Sequence, residues 1–383
     1  MNDKMNNNRR QFLKTSSLAA IIGSTGIRSS WANTNNNIKN LVILYEYGGV
    51  RGGKDNWLPD ASMNLKSASA GFESIKDDCI FFSDCHLTDK EGAELAFHEN
   101  NEYFAISDSV KINTLNYHAG VLNKNYYVTP LTNINNGTSS ELSHANYIDE
   151  LSVLDFHQQL RNNQPYMLDI LQKHLDETET LINKLSPNID VNIQNTQTDL
   201  QNKLAKMQID CQLTPEQMGN LTHLKTMQLA FSDMTQALAC GKSNVLTYVM
   251  SSYEDSEFGD DGTIVDGITS VKDAVQTGSD EQALAVKAMY DSQTVAFIEQ
   301  LKSTNDADGN PLLDSTIVLK VSAHGDVKNE SMSDAPFMLI SGQHINTGQV
   351  VSAQGSHLRV LDTVQQLLQL SHKNYSEQGP LTL

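Results

Sequence analysis

The sequence predicts an α/β protein built on a mostly parallel sheet with helices on its faces. Three observations carry this. The short unbroken apolar run Leu41–Tyr45 lacks the alternation of a half-exposed strand and suits a strand covered on both sides, and Ile317–Val321 reads as a further strand. Segments with a three-to-four-residue apolar period stand between such runs, as crossover connections of parallel strands require. The runs end in polar, glycine-bearing segments, the places where open α/β sheets bind ligands.

In chain order, residues 1–32 come first and read as an address. Asn8-Arg9-Arg10-Gln11-Phe12-Leu13-Lys14 precedes a short apolar stretch, Leu18 to Ile22, and then Ser30-Trp31-Ala32. A basic start, an apolar middle and a small-x-small end predict an export signal cleaved after Ala32. The arginine pair points to the twin-arginine route, and so to a periplasmic or secreted protein. Residues 33–383 are expected to form a single α/β domain.

Leu41–Tyr45 predicts the first strand, and Gly48-Gly49 with Gly52-Gly53 predicts a turn-rich loop closed by Trp57-Leu58-Pro59. Ile80–Phe82 predicts a second strand, and 86–148 reads as loop. From Ser152 the period becomes helical: Leu168, Leu171, Leu175, Ile182 and Leu185, then Leu200, Leu204, Met207 and Cys211. Thr214-Pro215-Glu216-Gln217 predicts a capped start for a further helix ending near Gly241. This block, about 151–240, interrupts the strand–helix alternation and is read as a helical insertion. Val245–Met250 predicts a strand. Asp280 to Ser303 predicts a helix whose buried side carries Ala288, Val295, Ile298 and Leu301. Strands follow at Ile317–Val321 and Phe337–Ile340, and a last helix over about 357–370.

Charge excludes some partners. The chain has 27 Lys+Arg and 46 Asp+Glu, a formal −19. Five of the basic residues and one acid lie in 1–32, which leaves 22 against 45, or −23, for the rest. Such a surface lacks the basic stripe that a phosphate backbone or anionic lipid requires. No apolar stretch reaches the roughly 18 residues of a membrane span. A periplasmic protein or a small ligand remains as the expected partner.

Cys79, Cys85, Cys211 and Cys240 all follow residue 32. An even number in an oxidising compartment permits disulfides, and the local pairing is Cys79–Cys85 with Cys211–Cys240. Four buried thiols are the alternative. None of the four has zinc-site spacing.

Two strand ends carry the candidate chemistry. One is Glu46-Tyr47-Gly48-Gly49, followed by Asp55; the other is Ser322-Ala323-His324-Gly325-Asp326. Carboxylate and imidazole are metal-ligand types, so Glu46, Asp55, His118, His324 and Asp326 form the candidate polar site. A divalent metal, with His118 and His324 as ligands, is the candidate cofactor. The alternative is that His324 caps its strand and Asp326 starts a turn. No Gly-x-Ser-x-Gly elbow or phosphate-binding Gly-x-x-x-x-Gly-Lys-Ser/Thr loop is present. Arg51 and Lys54 could meet an anion, although basic loop residues are usually solvated.

The segment Thr316–Asp326 resembles the strand and Ser-Asp-His-Gly element of the alkaline phosphatase superfamily, whose Asp and His bind a metal. Here Ala323 stands at the Asp position. Leu361–Leu370, with Asp362, is similar to that superfamily's closing helix. A longer resemblance is to the exported family of unknown function named for its HXXSHH motif. It runs through Tyr47-Gly48-Gly49, Asp55-Asn56-Trp57-Leu58-Pro59, His118-Ala119-Gly120, Ser152-Val153-Leu154-Asp155, Lys173–Glu179, His223–Thr235, Asp308–Asp314 and Pro336–Gly342, in the family's order. The family's histidine cluster is replaced by Gly267-Ile268-Thr269-Ser270-Val271-Lys272-Asp273, which has no imidazole. The resemblance thus implies an alkaline-phosphatase-like protein with a degraded metal site and a binding or structural role. The other reading it allows is a metal-dependent hydrolase of phosphate or sulfate esters.

Overall fold

The computed structural model describes residues 38–95, 128–132, 151–152, 222–251, 270–369 and 374–383, apart from 39, 90, 241–243, 272, 307–308 and 323. Among the described residues, eight strands form one sheet: β1 (Asn40–Glu46), β2 (Cys79–Ser83), β3 (Val128–Thr132), β4 (Leu151–Ser152), β5 (Val245–Val249), β6 (Thr316–Ser322), β7 (Met338–Ile340) and β8 (Gln349–Ser352). Their order across the sheet is β4-β3-β5-β1-β6-β7-β2-β8. Only β7 runs against its neighbours, β6 and β2. The expected class, α/β with a mostly parallel sheet, is the one observed.

β1 lies at the centre, paired in parallel with β5 from Leu41↔Val245 and with β6 up to Glu46↔Ser322. All seven of its residues are buried, which explains the unbroken apolar run. The strand period of two still sorts its side chains. Val42 and Leu44 face one core layer, while Leu41, Ile43 and Tyr45 face the other.

The first layer packs α2 (His223–Ala239) and α3 (Asp280–Ser303) on the sheet. Phe231 of α2 stacks on Phe297 of α3 at 4.7 Å, a pair worth about 0.5–1.5 kcal/mol beyond its buried area. The Ser279–Gln282 capping box starts α3. A short helix, α1 (Lys54–Trp57), and a 3₁₀ segment (Ala70–Asp78) complete this side, with Trp57 and Phe72 against Phe81. Gly71 lets that segment approach α3, since a Cβ there would lie 2.9 Å from Cβ of Asp291. On the opposite layer, α4 (His357–Leu367) covers the sheet.

Several expectations need correction. Ala288 is exposed and Val295 half-buried, because the buried face of α3 runs through Val286, Lys287, Tyr290, Asp291, Thr294 and Phe297. β3 falls in the stretch expected as loop and β4 at the expected helical start, and β8 stands where no element was predicted. α2 begins at His223 with Thr222 as its cap, accepting the Lys225 N–H at 3.4 Å. Residues 214–217, the predicted cap, lie outside the described residues, as does most of the 151–240 block. The described parts of that block are β4 and, from Thr222 on, α2.

The Cys79–Cys85 pairing does not form; both are buried free thiols. Cys79 opens β2, whose four extended steps to Ser83 alone cover about 13 Å, against the 4–7 Å between the Cα atoms of a disulfide. They also point into different layers. Burial pushes both thiols well up from their ordinary range, with nearby aspartates adding to it. Cys211 lies outside the described residues, so the Cys211–Cys240 pairing stays an expectation.

Candidate functional site

The carboxyl ends of β1 and β6 lie side by side and place the candidate residues. Leu44 pairs with Lys320 and Glu46 with Ser322, so Glu46 and Lys320 project from the sheet toward α3. There they meet Lys287 and Asp291, one helical turn apart. Oε2 of Glu46 contacts the ammonium of Lys320 and lies 3.3 Å from that of Lys287. Asp291 Oδ1 lies 2.5 Å from Lys287 Nζ and 3.5 Å from Lys320 Nζ. No side chain of the four is more than 7% exposed. Trp57 and Phe72 wall the cluster: Lys287 Nζ sits 4.7 Å from the Trp57 ring centre and 5.6 Å from that of Phe72.

Burial is the largest influence on all four groups, and its outcome differs. It opposes the charge of Glu46, but the ammoniums of Lys287 and Lys320 outweigh it and hold the carboxyl below its ordinary value. Lys287 is likewise raised, because Asp291 and Glu46 overcome burial. For Lys320 burial wins, helped by Lys287, and its affinity for a proton is lowered. For Asp291 burial also wins, and its carboxyl is raised despite both lysines.

Beyond the strand ends, two loops clasp each other. Val50 donates to the Gly325 carbonyl at 2.7 Å and Val327 to that of Gly48 at 3.1 Å. Gly49 has φ +67° and a Cβ there would fall 2.2 Å from the Gly325 oxygen, so no side chain fits. Ser322 Oγ accepts the backbone N–H groups of Gly49 and His324.

Asp326 is buried in this clasp. Its carboxylate accepts from Gly52 N (3.1 Å), Lys328 N (3.0 Å), Asn329 N (3.4 Å) and Asn329 Nδ2 (2.5 Å). Four donors use the lone-pair sites of a carboxylate, which makes Asp326 the organiser of a turn. His324 is buried, with its ring edge-on to Tyr47 at 5.2 Å. Asp55 is exposed on α1, apart from the buried charges. His118, Ala323 and most of the segment that replaces the histidine motif lie outside the described residues.

Arg51 does not await an anion. All five of its N–H donors are engaged, by the carbonyls of Ala274, Val275 and Gly278 and by Asp280 Oδ1 at 2.9 Å. It closes the end of the short π-helical turn Asp273–Thr277. Lys54 reaches only to 3.7 Å from Asp334 Oδ2.

These surroundings do not suit a divalent cation. The Glu46 carboxylate already faces two ammoniums, and Asp326 has no lone pair to give. Among the described residues, no group of three or more His, Cys, Asp and Glu is arranged to hold a metal ion. No helix there is long and apolar enough to cross a membrane.

Sequence reading missed Lys287, Asp291 and Lys320. A signal for them existed. A lysine inside the apolar strand Thr316–Ser322 is almost never fully buried without a partner, and Lys287 with Asp291 repeats the pattern on a helix face.

A scan against protein-family models finds no match, and neither does a sequence search of curated proteins. Among solved structures, the chain is similar to an alkaline phosphatase superfamily protein from Vibrio parahaemolyticus, at 12% identity and TM-score 0.49, covering 96% of this chain and 79% of that one. It is also similar to the lipoteichoic acid synthase LtaP from Listeria monocytogenes, at 13% identity and TM-score 0.47, over 90% of this chain and 75% of that one. A third is the C-terminal periplasmic domain of EcEptC from Escherichia coli in complex with Zn, at 11% identity and TM-score 0.40, over 91% and 87%.

Proposed function

We propose that this is an exported alkaline-phosphatase-like protein whose strand-end site operates without a divalent metal. Its role is to bind a periplasmic protein or small ligand, or to support such an assembly. The arginine-pair signal in 1–32 carries it out by the twin-arginine route, and 33–383 fold as one α/β domain with 151–240 inserted. The ordered motifs support membership of the HXXSHH family, as a divergent member without the histidine cluster.

One observation carries this reading. The strand-end carboxylate best placed to receive a cation, Glu46, is held by Lys320 and Lys287. The saturated carboxylate of Asp326 agrees with it. The test is metal analysis of protein purified from the periplasm, together with assays on aryl phosphate and aryl sulfate. The expected result is substoichiometric metal and no hydrolysis. Near-stoichiometric zinc, manganese or calcium lost on His324→Ala, or ester hydrolysis, would establish the metal-dependent hydrolase instead.

A further inference from the structure

We infer that Lys287 and Lys320 together take the place, in charge and position, of a divalent cation between Glu46 and Asp291. The inference rests on the metal-free reading above and deepens it. Each ammonium touches both carboxylates: Lys320 contacts Glu46 and lies 3.5 Å from Asp291, and Lys287 lies 3.3 Å from Glu46 and 2.5 Å from Asp291. Two positive charges thus stand between two negative ones, the balance a dication would give. A lysine ammonium is a compact point charge with three donors, able to serve two carboxylates at once.

Position follows from the fold. Glu46 and Lys320 come from neighbouring strands in fixed register, and Lys287 and Asp291 from adjacent turns of α3. The cluster ties the sheet to the helix as a bound ion would. Unlike an ion, the ammoniums are covalently tethered, so no chelator can withdraw them. Trp57, 2% exposed, and Phe72, fully buried, close the side next to Lys287. Buried ion clusters are seldom more stabilising than apolar packing of the same volume, so stability alone is a weak reason for four charges here.

Removing both ammoniums should therefore expose a cation site. The experiment compares melting of the full chain, wild type and Lys287→Ser/Lys320→Ser, in EDTA and in about 1 mM calcium, manganese or zinc chloride. Wild type should melt alike in all four. The double variant should melt lower in EDTA and gain roughly 5 °C or more with at least one cation. Adding Glu46→Gln to the double variant should remove that gain. A double variant that responds no more than wild type, folded or unfolded throughout, overturns the inference. So does a gain that survives Glu46→Gln. A wild-type cation response that persists in Glu46→Gln contradicts the metal-free function instead and leaves this inference standing.

Discussion

Both faces of the central sheet bury charge, and they satisfy it by opposite means. On the α3 face, Glu46, Lys287, Asp291 and Lys320 satisfy one another across elements far apart in sequence. On the α4 face, each charge is met largely by backbone. Asp362 accepts from Tyr375 N at 2.5 Å and Ser376 N at 2.9 Å. Arg359 donates to the carbonyls of Gly379 at 3.0 Å and Pro380 at 3.3 Å, and to side-chain amides of Gln354 and Gln378. His357 is kept neutral, its Nδ1 accepting the Thr88 N–H at 3.2 Å. An ion cluster fails as a unit, because losing one member strands the others. A backbone clamp fails locally, by releasing the segment it holds.

The comparison predicts its largest effect on the α3 face. Lys320→Met leaves two buried carboxylates with one ammonium and should cost about 3–5 kcal/mol in denaturant unfolding. Combining it with Glu46→Leu leaves the balanced Lys287–Asp291 pair and should recover most of that loss. Equal losses in the single and double variants would mean that the two groups are not coupled.

Next comes pH. Burial lowers His357 from 6.5 to about 4. Between those values the unfolded chain takes up a proton that the folded chain refuses. Stability should fall as pH drops from 6.5 toward 4, by roughly 3 kcal/mol. His357→Gln should flatten that limb in urea titrations. Glu46 acts in a lower window. Its stabilisation is present above 4.5 and is lost as pH falls through its lowered folded value, while the raised Asp291 works in the opposite sense.

Asp362→Ala should cost about 2–3 kcal/mol and speed amide exchange in 374–383 more than elsewhere. Uniform acceleration would deny the local clamp. The smallest effect should be Asp326→Asn, about 1–2 kcal/mol, since the amide oxygen still accepts two of the four donors while the amide nitrogen leaves the other two unmet.

Legibility followed the same division. β1, β5 and β6 were readable as short apolar runs and α4 by its helical period, whereas α3 was readable as an element but not in its buried face, which carries Lys287 and Asp291. β8 was not, since Gln349-Val350-Val351-Ser352 is short and half-buried. β3 contains Pro130, which argues against a strand interior. The pairing with β5 nevertheless runs through Pro130↔Thr247, while the pairing with β4 covers Leu131 and Thr132. At the site, types of residue were readable but partners were not. Glu46 and Asp326 looked alike as strand-end carboxylates. Nothing local distinguishes an acid facing lysines 241 and 274 residues away from one that gathers donors two and three residues on.

The most direct test of the central claim is an anomalous-scattering map from crystals grown with zinc or manganese. The account predicts no peak within about 2–2.5 Å of the Glu46 carboxylate, and density for Lys287 and Lys320 in its place. A metal peak bonded to Glu46, with the two lysines turned away, would contradict it.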